Sequence, residues 1–144
     1  MSILRPFEVA YVWLHRFAYV QTDGRIGHGM TMVPTLLLRT KGRRTRRTRI
    51  NVLVYAVDGD AHVLVASNFG KEQSPGWFFN LCAEPKVEIQ VRRTREAMVA
   101  RLVHAGESDY ERLWMLVNGN NHRRYASYQA KTTRSIPIVV LQPA

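Results

Sequence analysis

The chain has 144 residues, 46% of them apolar, which fits one globular domain and excludes a disordered tail protein. Its longest run free of Lys, Arg, Asp and Glu, Ile26 to Leu38, falls short of the ~20 apolar residues a membrane span needs, and no signal-peptide pattern opens it, so a cytoplasmic protein is expected. The net charge of +10 has one source: Arg39, Lys41, Arg43, Arg44, Arg46, Arg47 and Arg49 crowd eleven residues without an acid, and the remainder carries fourteen cations against eleven acids.

Pro6 suits the first position of a helix, and Phe7, Ala10, Tyr11, Leu14, Phe17 and Ala18 recur at helical spacing to about Val20. A loop with Gly24, Gly27 and Gly29 follows; its G-x-x-G-x-G order, after a helix, does not match a dinucleotide fingerprint. Val33 to Arg39 and Ile50 to Val57 read as strands, joined by an arginine-rich hairpin connection that begins at Gly42. Asp58-Gly59 is a type I′ turn signal leading into a strand from Val63 to Ser67. Pro75 opens a short helix, Trp77 to Ala83, which Pro85 stops. Val87, Ile89 and Val91 alternate with polar residues as a half-buried strand does, and Met98 to Val103 is its hairpin partner. Ser108 caps a helix with Tyr110, Leu113, Trp114 and Val117 facing inward. A polar loop, a short segment from Tyr125 to Ala130 and a strand from Ile136 to Leu141 complete the chain. The sum is one α+β, mainly β domain spanning 1–144: about six mostly antiparallel strands in a barrel-like sheet with flanking helices.

Cys82 stands alone, which excludes an intrachain disulfide, and is expected as a small buried hydrophobe. No G-x-S-x-G elbow occurs. The histidines at 15, 28, 62, 104 and 122 lack metal-ligand spacing and read as structural, so no metal is expected. The arginine cluster is the chemical signal. Seven like charges repel across a short hairpin unless a polyanion compensates, and arginine suits bidentate pairing with phosphate or carboxylate. A solvated basic hairpin is the plain alternative. Nucleic acid is not expected, because no aromatic interleaves the arginines and no recognition helix carries them. In the N-terminal segment 1–22, Phe7, Tyr11, Trp13, Leu14 and Phe17 beside Arg5 and Arg16 fit either a membrane surface or packing on the barrel.

The series Leu36 to Thr45 (LLLRTKGRRT), Arg49-Ile50-Asn51, Asp58-Gly59-Asp60, Val65-Ala66-Ser67, Pro75 to Leu81 (PGWFFNL), Glu84-Pro85-Lys86-Val87, Tyr128-Gln129 and Ile136 to Val140 (IPIVV) closely resembles the deazaflavin-dependent nitroreductase family. The resemblance covers about 33–143 and implies a split β-barrel that binds the 8-hydroxy-5-deazaflavin coenzyme F-420. It implies an oxidoreductase passing hydride from the reduced coenzyme to a quinone, nitroaromatic or similar electron-poor acceptor. A non-catalytic deazaflavin or lipid carrier is the alternative, and a nucleic-acid-binding barrel a more distant one. By the family's pattern Arg43, Arg44, Thr45 and Arg49 bind the coenzyme's phosphodiester and oligoglutamate tail. Asn51 lies along the ring, Ala66, Ser67 and Asn68 contact the phosphate or tail, and Trp77 walls the pocket. His122, Tyr125 and Tyr128, spaced by three, form the acceptor pocket, with tyrosine as proton donor. The resemblance also allows a peripheral position at the inner face of the plasma membrane. The chain departs from the pattern at Val52, where the family commonly has proline, and at Asn68-Phe69, where it commonly has Lys-Gly.

Overall fold

The computed structural model describes residues 6–22 and 33–144, with the backbone alone at 6–9. The loop with Gly24, Gly27, Gly29 and His28, together with Arg5 and the Phe7 side chain, lies outside the described residues. Helix α1 spans Pro6–Gln21. Seven strands follow: β1 Thr35–Lys41, β2 Thr48–Val54, β3 Ala56–Asp58, β4 Ala61–Val65, β5 Lys86–Val91, β6 Thr94–Val103 and β7 Ile138–Pro143. Between them lie α2 Gly76–Ala83, α3 Tyr110–Asn120 and α4 Arg124–Gln129.

All pairings are antiparallel, and the sheet order is β2-β1-β5-β6-β7-β4-β3. Its two edge strands, β2 and β3, are consecutive in the chain and separated by Tyr55 alone, so the sheet has to curl round until its edges meet. The result is the expected split barrel. The strand expected from Ile50 to Val57 is therefore two. At buried Tyr55 the chain leaves β1 for β4, its N–H donating to Pro34 O (3.3 Å) and its carbonyl accepting from Asn120 Nδ2 (2.8 Å). Such a change of partner leaves no mark on an apolar pattern.

Two cores follow from strand alternation. Leu36, Leu38, Leu64, Ile89, Val139 and Leu141 fill the barrel and are plugged by Trp77, Phe78 and Leu81 of α2. On the outer face, Val63, Val65, Ile138 and Val140 pack under Tyr110, Leu113 and Val117 of α3 and Tyr125 of α4. Helix α1 docks through Tyr19, whose hydroxyl donates toward Thr35 O and Gln90 O (3.1 and 3.2 Å) and accepts from Arg92 N–H (2.9 Å).

Three local expectations are corrected. Asp58 pairs with Ala61, so the turn is Gly59-Asp60, and only Gly59 has positive φ (64°) where a type I′ turn needs both. The residue before α3 is Asp109 rather than Ser108, and its carboxylate faces Arg101 at 3.1 Å instead of capping. Strand β6 begins at Thr94, four residues before the expected start, because Arg92 at φ 55° makes a tight turn and 94–97 is exposed on both faces.

Candidate functional site

The arginine-rich connection is a clasped loop. Gly42 N–H donates to Arg47 O and Arg46 N–H to Gly42 O, both at 2.8 Å. A Cβ on Gly42 would lie 2.8 Å from Thr45 Oγ1 and 3.1 Å from Arg47 O, so glycine lets the loop close without displacing either. Thr45 Oγ1 in turn accepts from Arg47 N–H (3.3 Å) and Arg49 Nη2 (3.5 Å). Asn80, buried in α2, pins the loop to the barrel: its Oδ1 accepts from Arg43 N–H (3.1 Å) and Nη1 (3.4 Å), and its Nδ2 donates to Thr40 Oγ1 (3.3 Å).

Beside the loop opens a cleft of about 720 Å³. Of the residues the sequence assigns to the coenzyme, Arg43, Arg44, Thr45, Arg49, Asn51, Asn68 and Trp77 line it. Trp77 serves twice, as cleft wall and as barrel core. Ala66 and Ser67 do not line it. Ala66 is fully buried, its N–H donates to Pro137 O (3.1 Å), and the carbonyls of both residues accept from Arg134 Nη2.

Among the described residues four cations, Arg16, Arg43, Arg44 and Arg49, face this cleft, and no acid lines it. Arg39, of the same cluster, stands apart against Glu88 at 3.6 Å. Unbalanced like charges along a concave wall raise the local potential and favour a polyanion. The donor set thus fits a phosphodiester with a carboxylate tail, since arginine pairs with both.

The expected acceptor residues lie elsewhere. His122 precedes α4 at φ 54° and is exposed, so it does not share a helical face with Tyr125 and Tyr128. Tyr125 is 6% exposed and packs against Trp114 and Tyr128. Burial pushes its hydroxyl far above the usual phenol range; Tyr128 adds to the shift, while a hydrogen bond with Asn121 and the charge of Arg124 oppose it. Tyr128 is half-buried, edge-on to Phe69 with ring centroids 5.9 Å apart, and Lys131 Nζ sits over its ring. Phe69 follows cleft residue Asn68 in a single 3-10 turn, Asn68–Gly70, whose three residues all have positive φ (47°, 59° and 83°). Glycine is the usual occupant of that conformation, so the chain departs from the family pattern at a strained position.

Sequence reasoning passed over Arg16, Gln73, Ser74 and Asn80, which also line the cleft. Asn80 had a signal: it is the lone strongly polar residue of Gly76–Ala83, at helical spacing from Trp77 and on its buried side. The expectation for Cys82 is corrected. It lies on the exposed side of α2, three residues from exposed Phe79 and away from the inward face set by Trp77, Phe78 and Leu81. Among the described residues no cluster of His, Cys, Asp and Glu could hold a metal.

Fold and cleft together define a split-barrel protein built to hold a polyanionic ligand beside a buried aromatic wall. The family model described as F420H(2)-dependent quinone reductase matches residues 12–143. An F420H(2)-dependent quinone reductase of Mycobacterium tuberculosis is 49% identical over 138 residues, 95% of this chain and 93% of its own. Among solved structures, an F420-H2 dependent reductase (FDR-A) superposes with a TM-score of 0.68 at 29% identity, covering 76% of this chain and 94% of that one. A second, described as a domain-swapped dimer, gives 0.70 at 25% identity over 92% of this chain and 99% of that one. The chain belongs to the F420H(2)-dependent quinone reductase family.

Proposed function

We propose that this chain is an enzyme that reduces a quinone with reduced coenzyme F420. The observation that carries the reading is the cleft where, among the described residues, four arginines and no acid converge beside Trp77 and Asn51. Arg43, Arg44 and Arg49 hold the phosphodiester and glutamate tail, with Thr45 bracing Arg49. Asn51 and Trp77 flank the ring and keep water from it. Bound there, the reduced coenzyme supplies a hydride from its deazaflavin ring, and the quinone, taking that hydride and one proton, leaves as hydroquinone.

Tyr128 donates the proton as negative charge develops on the acceptor oxygen. Its partial exposure and its contact with Phe69, next to cleft residue Asn68, support this role. Tyr125, too buried to meet an acceptor, orients Tyr128 edge-on. His122, exposed at the start of α4, tunes acceptor choice. Helix α1 supports delivery of a lipid-soluble acceptor at the inner membrane surface. Docked by Tyr19, it leaves Trp13 and Phe17 stacked at 5.4 Å and 55% and 48% exposed, beside a second groove that shares Arg16, Arg49 and Ile50 with the cleft. No helix among the described residues is long and apolar enough to cross a membrane.

The test is anaerobic mixing of protein, reduced coenzyme F420 and a menaquinone analogue, followed by the return of the oxidised deazaflavin absorbance. Catalytic oxidation with quinone is expected, with nitroaromatics as slower acceptors. Tight coenzyme binding without oxidation by any acceptor supports the carrier instead.

A further inference from the structure

Arg134, in the connection between α4 and β7, lies outside the cleft lining yet spends its guanidinium on the segment that forms one cleft wall. Its Nε donates to Lys71 O at 2.8 Å, and its Nη2 to Ser67 O, Ala66 O and Gln73 O at 2.9, 3.1 and 3.5 Å. Its Nη1 donates to Ser74 Oγ at 3.3 Å. Four carbonyls of one loop are thereby drawn to a single planar cation.

A trans peptide points its N–H opposite to its C=O, and no described peptide is cis. Drawing the carbonyls of Ala66, Ser67 and Gln73 behind the loop turns the N–H groups of Ser67, Asn68 and Ser74 the other way. Among the described residues these three N–H groups donate to no protein acceptor, whereas backbone donors in such places ordinarily find one. Asn68 and Ser74 line the cleft, where such donors meet an anion. The left-handed turn at Asn68–Gly70 is braced by the same arrangement, with Asn68 Nδ2 donating to Gln73 O at 2.9 Å.

We infer that Arg134 is a positioning residue for coenzyme binding: it gathers the carbonyls of the 66–74 loop so that the loop's N–H groups are presented to the anionic part of the ligand. This rests on the coenzyme reading of the cleft and extends it to a residue outside the pocket. Lysine cannot replace it, because an ammonium has the charge without the planar fork of donors.

The test compares wild type with Arg134→Lys, titrated with coenzyme F420 and with the deazaflavin riboside that lacks the phosphodiester and tail. Amide resonances of Asn68 and Ser74, the two donors in the cleft lining, are followed alongside. Arg134→Lys is expected to bind the coenzyme at least 10-fold more weakly and the riboside within twofold of wild type. Both amides shift on coenzyme addition in wild type and cease to do so in the variant. Equal coenzyme affinity in the two proteins, or equal weakening of both ligands, overturns the inference. Should Arg134→Lys fail to fold, Gln129→Leu serves. Gln129 holds the 134–136 segment, donating to Arg134 O (2.7 Å) and accepting from Ile136 N–H (3.0 Å). A ligand-selective loss of threefold or more is expected there, and unchanged coenzyme affinity overturns the inference. A wild type that binds neither ligand removes the coenzyme reading itself, whereas tight binding by wild type and Arg134→Lys alike removes only the role of Arg134.

Discussion

Replacing Asn80 by leucine separates the anchoring of the arginine loop from the barrel's general stability. Leucine keeps the branching and heavy-atom count of the side chain, so no large cavity opens, but every polar contact of Asn80 is lost. Two of these are well formed, to Arg43 N–H at 3.1 Å and Thr40 Oγ1 at 3.3 Å. Arg43 is exposed and water can replace its partner, whereas Thr40 is buried and its hydroxyl is left without one. At ~0.5–1.5 kcal/mol for a replaceable hydrogen bond and ~1–3 kcal/mol for a stranded buried group, the loss is about 1.5–4.5 kcal/mol. For a domain of this size that lowers the melting temperature by roughly 3–18 °C. Because the same contacts hold the backbone of Arg43, coenzyme affinity is expected to fall at least threefold. Asn120→Leu supplies the control: it removes a bond to Tyr55 O at 2.8 Å, far from the cleft lining, and is expected to lower the melting temperature without changing coenzyme affinity. Differential scanning calorimetry and isothermal titration of both variants decide the matter. If Asn80→Leu binds the coenzyme as wild type does despite melting lower, the anchoring argument is wrong.

Arg44 makes no ion pair or hydrogen bond among the described residues. Arg44→Ala is therefore expected to leave the melting temperature of the ligand-free protein within about 2 °C while weakening coenzyme binding by ~1.5–3 kcal/mol, roughly 10- to 150-fold, in a titration whose affinity also falls with added salt. Tyr128→Phe is expected to lower turnover by ~10²-fold with coenzyme affinity intact, and full turnover with every acceptor tested removes the proton-donor role. Burial holds the His62 imidazole below its usual 6.5, against a smaller opposing effect of Glu96, so the unfolded chain binds the proton more readily than the folded one. Stability is thus fully present above pH 6.5 and declines as pH falls from there through the folded value. His62→Leu is expected to flatten that decline in melts at pH 7.5 and 5.0, and parallel profiles for the two proteins would contradict it.

How much of this was readable in advance depends on the range of the forces involved. Strand β5 was visible because Val87, Ile89 and Val91 each meet the core by simple alternation, and α2 because Pro75 and Pro85 bracket it. The cationic side of the cleft was visible because like charges close in sequence stay close on a hairpin. The Tyr55 break was not, since β2 ends where its partner changes, and a partner is a property of the folded sheet. Arg134 and Asn80 were missed for a related reason. Their acceptors and donors lie 37 to 68 residues away, so the chemistry that singles them out exists only after folding. The convergence expected of His122, Tyr125 and Tyr128 failed on geometry, because spacing by three aligns side chains only inside a helix, and α4 starts two residues after His122.

Strand β7 sits between β6 and β4 and, among the described residues, is the sole bridge joining β2-β1-β5-β6 to β4-β3 in the sheet order, with Val139 and Leu141 serving one core and Ile138 and Val140 the other. It is also the last strand in sequence. During synthesis six strands emerge before the one that unites them, at ~5–20 residues per second, so for seconds the nascent chain holds two sheet fragments with unfinished edges. Closing the seam needs pairings such as Val65 with Ile138, more than seventy residues apart, a separation that makes folding slow relative to helix bundles. Expression of this barrel should therefore respond to chaperone supply and to growth temperature more than the stability of its finished fold would suggest.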